Sequence, residues 1–196
     1  VHMHAFYLPE DADGDGFIDH ILIHAPGGLC SRAIAALDGV PRLWTDSGNE
    51  WRTVFMGSWL VPAESGSMYC DVGKAWLSVT PYLHPWHSKP GFGVVEQIRR
   101  ECGQRGMPEP AVVRAVDSIP VHGRERRPVH FHRFRSKRGL HQPDRHGSMI
   151  AISFAEPIAG PLALGFGCHY GLGMFAPAGP VPGVMSSLAR DERNSE

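Results

Sequence analysis

No run of apolar residues in this 196-residue chain approaches the roughly 18 needed to cross a bilayer, which excludes an apolar membrane-spanning helix. The first residues lack the basic start and apolar core of a secretory signal. Cysteine is scarce and scattered. Cys30, Cys70, Cys102 and Cys168 form no CxxC or other short metal spacing, so neither a zinc ribbon nor a disulfide scaffold is expected, and a reducing cytoplasm is the compartment that fits. Metalloprotease spacing is missing too: the chain has no HExxH, only two short HxH pairs at His2-Met3-His4 and His130-Phe131-His132. Net charge is nearly absent at −1, which excludes a uniformly basic nucleic-acid binder, and no internal sequence repeat supports a duplicated unit.

What is present is charge segregation. Glu10, Asp11, Asp13, Asp15 and Asp19 crowd the first 20 residues. Arg124, Arg126, Arg127, Arg133, Arg135, Lys137, Arg138 and Arg145 are 8 of the 19 Lys and Arg, opposed in that stretch only by Glu125 and Asp144. In residues 129–135 (VHFHRFR), rings interleave with cations, the pattern in which bases stack and phosphates pair with guanidinium groups. Downstream, residues 160–177 (GPLALGFGCHYGLGMFAP) place glycines at 160, 165, 167, 171 and 173 in an apolar run. Glycine lets a backbone approach a ligand without a Cβ in the way; the alternative is a glycine-kinked strand packed closely on the chain itself. A basic block feeding such a loop reads as RNA binding.

The pattern of elements is mixed. Residues 17–25 (FIDHILIHA) predict a strand ending at Pro26-Gly27-Gly28, and residues 29–37 a helix stopped by a left-handed Gly39 with Pro41 beyond. Residues 51–60 and 75–82 read as strands, and residues 93–105 as a second helix with Val94, Val95, Ile98 and Cys102 on one face and Gly106 and Pro108 ending it. Residues 111–119, 129–135, 149–154 and 172–175 alternate like strands. The expected class is α+β: tandem ferredoxin-like (RRM-like) units over residues 1–90 and 91–180, the second carrying the glycine-rich loop, with a disordered tail over 181–196. The abrupt start at Val1-His2-Met3-His4 reads as the cut edge of a longer polypeptide.

Asp11-Ala12-Asp13-Gly14-Asp15-Gly16-Phe17-Ile18-Asp19 follows the first nine positions of an EF-hand loop, but position 12 is Leu22 rather than the closing Glu. Asp11, Asp13, Asp15 and Asp19 are thus candidate ligands for a structural Ca²⁺ or Mg²⁺, with a solvated Asx-rich turn as the alternative. A calcium-dependent structural or adhesion module is the reading from another functional class.

HAFYLPEDADGDGFIDH at residues 4–20, WLSVTPY at 76–82, HRFRSKR at 132–138 and GPLALGFGCHYGLGMF at 160–175 together resemble the C-terminal half of a fused CRISPR subunit. It is similar to the type I-U (I-G) protein that joins a Cascade backbone domain to a repeat-processing endoribonuclease domain. The glycine segment also resembles the C-terminal glycine-rich loop of the wider repeat-associated RNA-binding superfamily. The resemblance covers most of residues 4–177. It implies cleavage of precursor CRISPR RNA within the repeat, without a metal cofactor, by 2′-hydroxyl attack that leaves a 2′,3′-cyclic phosphate. The alternative within the same family is a noncatalytic subunit that holds guide RNA. Implied partners are CRISPR repeat RNA, other Cascade-type subunits and an N-terminal backbone domain missing from this chain, with no membrane.

Among twelve histidines, His24 matches by position the general base that relatives carry near the first helix. His4 and His20 lie in the HAFYLP and FIDH strings, and His169 lies inside the glycine loop. Histidine suits the base role because its pKa, about 6.5, is close to working pH. The expected RNA contacts are Arg124, Arg126, Arg127, Arg133, Arg135, Lys137 and Arg138, with Gly165, Gly167, Gly171 and Gly173. Trp76, Tyr82 and Trp86 are expected in the core.

Overall fold

The computed structural model describes residues 4–45, 47–121, 123–131, 136–137, 140–141 and 147–178. β1 (Phe6–Glu10) and β2 (His20–His24) pair antiparallel, Phe6 opposite His24 and Glu10 opposite His20. The helix α1 (Ser31–Asp38) leads to a second ladder, β3 (Arg42–Trp44) with β4 (Glu50–Arg52). Two 3₁₀ turns, Pro62–Ser65 and Met68–Cys70, precede β5 (Val72–Ser78), and α2 (Val94–Gln104) follows it. Then come β6 (Val112–Val116), the hairpin of β7 (Ile119–Val121) with β8 (Arg124–Arg126), and the two-residue strands β9 (Ser136–Lys137) and β10 (Leu140–His141). β11 (Met149–Ala159), β12 (Leu162–Ala163) and β13 (Met174–Pro177) complete the order.

The architecture is mixed α+β, with few helices and a five-stranded antiparallel sheet in the order β12-β13-β5-β11-β6. β5, α2 and β6 form a split β-α-β unit, because β11 lies between the two strands and pairs with both. β5 lies on one side of the division expected at residues 90 and 91 and its sheet neighbours on the other, so the sheet draws on both. The N-terminal strands form separate two-stranded ladders. No helix among the described residues is long and apolar enough to cross a membrane.

Alternation along the strands gives the sheet two apolar faces. Leu162, Phe175, Trp76, Ile150, Ile152 and Phe154 join Ile98 and Cys102 of α2 in one core, together with Tyr82 and Leu164. Ala163, Met174 and Ala176 point the other way and pack with Phe6 and Leu8 of β1, Tyr69 and Cys168. The sheet is thereby held between α2 and the first strand. α2 stops as its sequence predicts: Gly106 takes φ +72°, and the amides of Gly106 and Met107 return to the carbonyls of Gly103 and Cys102.

Elsewhere the local signals were overridden. Gly39 is not left-handed (φ −78°), and α1 ends with amide returns from Gly39 and Val40 just ahead of Pro41. Of residues 51–60 only Trp51 and Arg52 are in a strand; β-branched and aromatic residues favour a strand where a pleated surface awaits them, and Val54, Met56 and Leu60 are exposed instead. Residues 128–131 form a 3₁₀ turn rather than the start of the strand expected over 129–135, and residues 132–135 lie outside the described residues. The tail expected to be disordered, 181–196, also lies outside them.

Candidate functional site

Two of the four candidate histidines, His24 and His169, meet at Phe6, and a third, His4, reaches them through His169. Pairing of β1 with β2 sets Phe6 opposite His24, and their ring centroids are 5.9 Å apart. The 3₁₀ turn Cys168–Tyr170, flanked by left-handed Gly167 and Gly171, brings His169 from far along the chain to stack on Phe6 at 4.2 Å. His4 meets the His169 ring edge-on, centroids 6.0 Å apart. The Ala5 carbonyl lies 3.0 Å from His169 Nδ1 and can only accept, so Nδ1 carries hydrogen, and Nε2 is the basic nitrogen of the neutral ring. Burial lowers the pKa of His24, which favours its neutral form. His20 stands at the other end of β2, opposite Glu10; four residues of strand, about 13 Å, separate it from His24.

Beneath this cluster runs a buried polar link: the Glu101–Arg105 pair has the i, i+4 spacing of a helix ion pair, but no sequence pattern signalled its ties to Ala163, Gly165 and Cys168. Arg105 donates from Nη1 to the Ala163 carbonyl at 2.6 Å and from Nη2 to Cys168 Sγ at 3.3 Å, and it forms an ion pair with Glu101. Its guanidinium lies 5.7 Å from the centroid of Phe6. Both Glu101 oxygens accept from the Gly165 amide at 2.9 Å. Burial opposes the Arg105 charge, but Glu101 and Cys168 outweigh it, and the pKa rises. Burial drives the Cys168 thiol up despite Arg105.

The glycines of the loop serve close approach, but to the chain itself. A Cβ at Gly165 would lie 2.6 Å from the Leu83 carbonyl, and one at Gly173 would lie 1.8 Å from that of Leu164. Several loop amides are spent internally: Leu164 on Gly173, Phe166 on Leu83, Gly173 on Pro81 and Tyr170 on Gly167. The side chain of Gly171's neighbour Tyr170 is exposed and parallel to Tyr7, within 5° at a centroid distance of 6.3 Å. Trp76 and Tyr82 are buried as expected, whereas Trp86 is half-buried and lines a cleft of about 440 Å³ with Glu101, Gln104, Arg105, Phe166 and His169.

Of the basic block, Arg124 and Arg126 lie on β8, facing Val121 and Ile119 across the hairpin; Arg124 and Arg127 are exposed and Arg126 is half-buried. The Arg127 amide donates to His130 Nδ1 at 2.8 Å. Arg133, Arg135 and Arg138 lie outside the described residues, and of Lys137 only the backbone is described. In the acidic loop, ligand oxygens of Asp11, Asp13 and Asp15 lie within 4.8 Å of one another. Backbone amides supply much of the compensation: Gly14 and Gly16 donate to Asp11, Asp15 to Asp13, Phe17 to Asp15, and Ala12 and Asp13 to Asp19. These are nested Asx turns, closed by the Asp19 amide on the Glu10 carbonyl.

Comparisons with family models, with curated proteins and with solved structures found no match.

Proposed function

We propose that this protein is an endoribonuclease that cuts CRISPR precursor RNA within its repeats. One observation carries the reading: His24 and His169 both pack on Phe6, and His4 on His169, although the chain separates His4 from His169 by most of its length. Ring-to-ring contacts fix the imidazoles relative to one another, as acid–base chemistry at one phosphate requires. Support for RNA as substrate comes from the exposed, parallel Tyr7 and Tyr170 beside the cluster, and from exposed Arg124 and Arg127. The split β-α-β connection is the one that ferredoxin-like units use and supports an RRM-like reading of the five-stranded sheet.

In this mechanism His24, held neutral by burial, takes the 2′-hydroxyl proton as that oxygen bonds to the adjacent phosphorus. The bond from phosphorus to the 5′-oxygen breaks, and His169 in its protonated form gives that oxygen a proton from Nε2. The products are a 2′,3′-cyclic phosphate and a 5′-hydroxyl, with no net change in protons. No step uses a metal ion. A Ca²⁺ or Mg²⁺ in the acidic loop has a structural role only. Exposed Val54, Met56 and Leu60 supply apolar surface for the Cascade-type subunits and the backbone domain.

The test is incubation with repeat RNA in excess EDTA, followed by mapping of the product ends. His24→Gln and His169→Gln are expected to slow cleavage by about 10² to 10⁴ at unchanged affinity. RNA bound but left intact, by this chain and by a fusion to a backbone domain alike, establishes the noncatalytic guide-binding alternative. RNA neither bound nor cut removes both.

A further inference from the structure

The cleft at the end of α2 places rings and charges differently. Trp86, Phe166 and His169 set three aromatic rings in its walls. The charge of the guanidinium that lines it is already matched by Glu101, and Arg105 donates from Nη1 and Nη2 to Ala163 and Cys168, with its buried Nε left without a hydrogen-bond partner. That pairing leaves the cleft without a strong cation for a phosphate, while its flat apolar walls suit a neutral planar group. Just outside, the exposed Arg100 lies with its guanidinium 5.1 Å from the centroid of Trp86 and 5.6 Å from that of Phe92. It has no carboxylate partner among the described residues.

We propose that this cleft holds one unpaired nucleobase of the RNA, stacked among Trp86, Phe166 and His169, with exposed Gln104 reading its edge and its phosphate against Arg100. A volume of about 440 Å³ lies in the range of small-ligand pockets, about 300–1,000 Å³, and accommodates one nucleoside but no base pair held within a helix. A base in a duplex has its faces covered by its neighbours, so the nucleotide must be single-stranded or splayed out. Since His169 belongs both to this wall and to the histidine cluster, the captured base marks a nucleotide next to the cut phosphate. The proposal rests on the RNA reading above and adds a single-stranded nucleotide to its substrate.

The experiment measures fluorescence anisotropy of labelled repeat RNAs, each with one abasic site, against the full chain and against Trp86→Ala, Phe166→Ala and Gln104→Ala, with thermal melting of each variant as the fold control. One abasic position is expected to weaken wild-type binding by about 5- to 150-fold, the span for losing one base–aromatic stack. The same position should cost a Phe166→Ala protein much less, because the stack is already gone. Arg100→Gln should weaken all RNAs about equally and lower the salt dependence of binding by about one phosphate contact. Tight RNA binding with every abasic penalty the same in wild type and variants overturns the cleft assignment and leaves the RNA reading standing. Failure of the intact repeat RNA to bind overturns both.

Discussion

Replacing Glu101 by Gln tests whether the buried link beneath the glycine loop stabilises the fold. The side chains of Glu101 and Arg105 are 8% and 12% exposed, so solvent screens their attraction poorly. Two unit charges about 4 Å apart in an effective dielectric of about 20 attract by about 4 kcal/mol, and removing one partner of a buried pair costs about 3–5 kcal/mol. Gln keeps one oxygen for the Gly165 amide, which retains that hydrogen bond, worth about 1 kcal/mol. The expected loss is therefore about 3–4 kcal/mol, and Glu101→Ala should cost about 1 kcal/mol more. In urea, with a slope of about 2 kcal/mol per molar, the Gln variant should unfold at a midpoint about 1.5–2 M lower, read from the fluorescence of buried Trp76. Arg105→Met in the same background should recover much of the loss, because the uncompensated charge is then gone. A loss below about 1 kcal/mol for Glu101→Gln, or a double variant no more stable than the single, would refute the argument.

Two further outcomes follow from the same geometry. Gly173→Ala should destabilise by more than about 4 kcal/mol, since its Cβ meets a backbone carbonyl at 1.8 Å, whereas Gly106→Ala, also at positive φ but in open space, should cost only about 1–2 kcal/mol; equal melting shifts would contradict this. For His24 the folded pKa is depressed below its ordinary 6.5, so the associated stability is present above that pH and is lost as pH falls through the lower folded value. The melting-temperature gap between wild type and His24→Gln should therefore shift against the wild type between pH 7.5 and pH 5, and a gap independent of pH would rule out the burial argument.

Sequence reading succeeded where neighbours in the chain decide the structure. α2 was legible because Val94, Ile98 and Cys102 recur at helical spacing and Gly106 marks the stop. Half of its buried face was not legible, because Gln97 and Glu101 are polar and the amide that donates to Glu101 lies 64 residues away. The same limit applies to the glycine segment. Spacing alone reports that something approaches the backbone closely, and it cannot distinguish a ligand from the carbonyls of Leu83 and Leu164.

The histidines make this point for function. Chemistry nominated His4, His20, His24 and His169, and register separated them. β1 carries Pro9, which weakens a strand signal, yet in a two-stranded ladder a residue without an amide is tolerated, and the strand forms. Its register then places His24 beside Phe6 and leaves His20 at the opposite end, opposite Glu10. Phe6 had no chemical signature to draw attention to it, being one of nine phenylalanines. It joins the cluster because its face receives His169 and its neighbouring residue, Ala5, supplies the carbonyl that fixes the His169 tautomer. A site assembled around an apolar ring is recognised only once strand pairing is known, because the residue that organises it takes no part in the proton transfers.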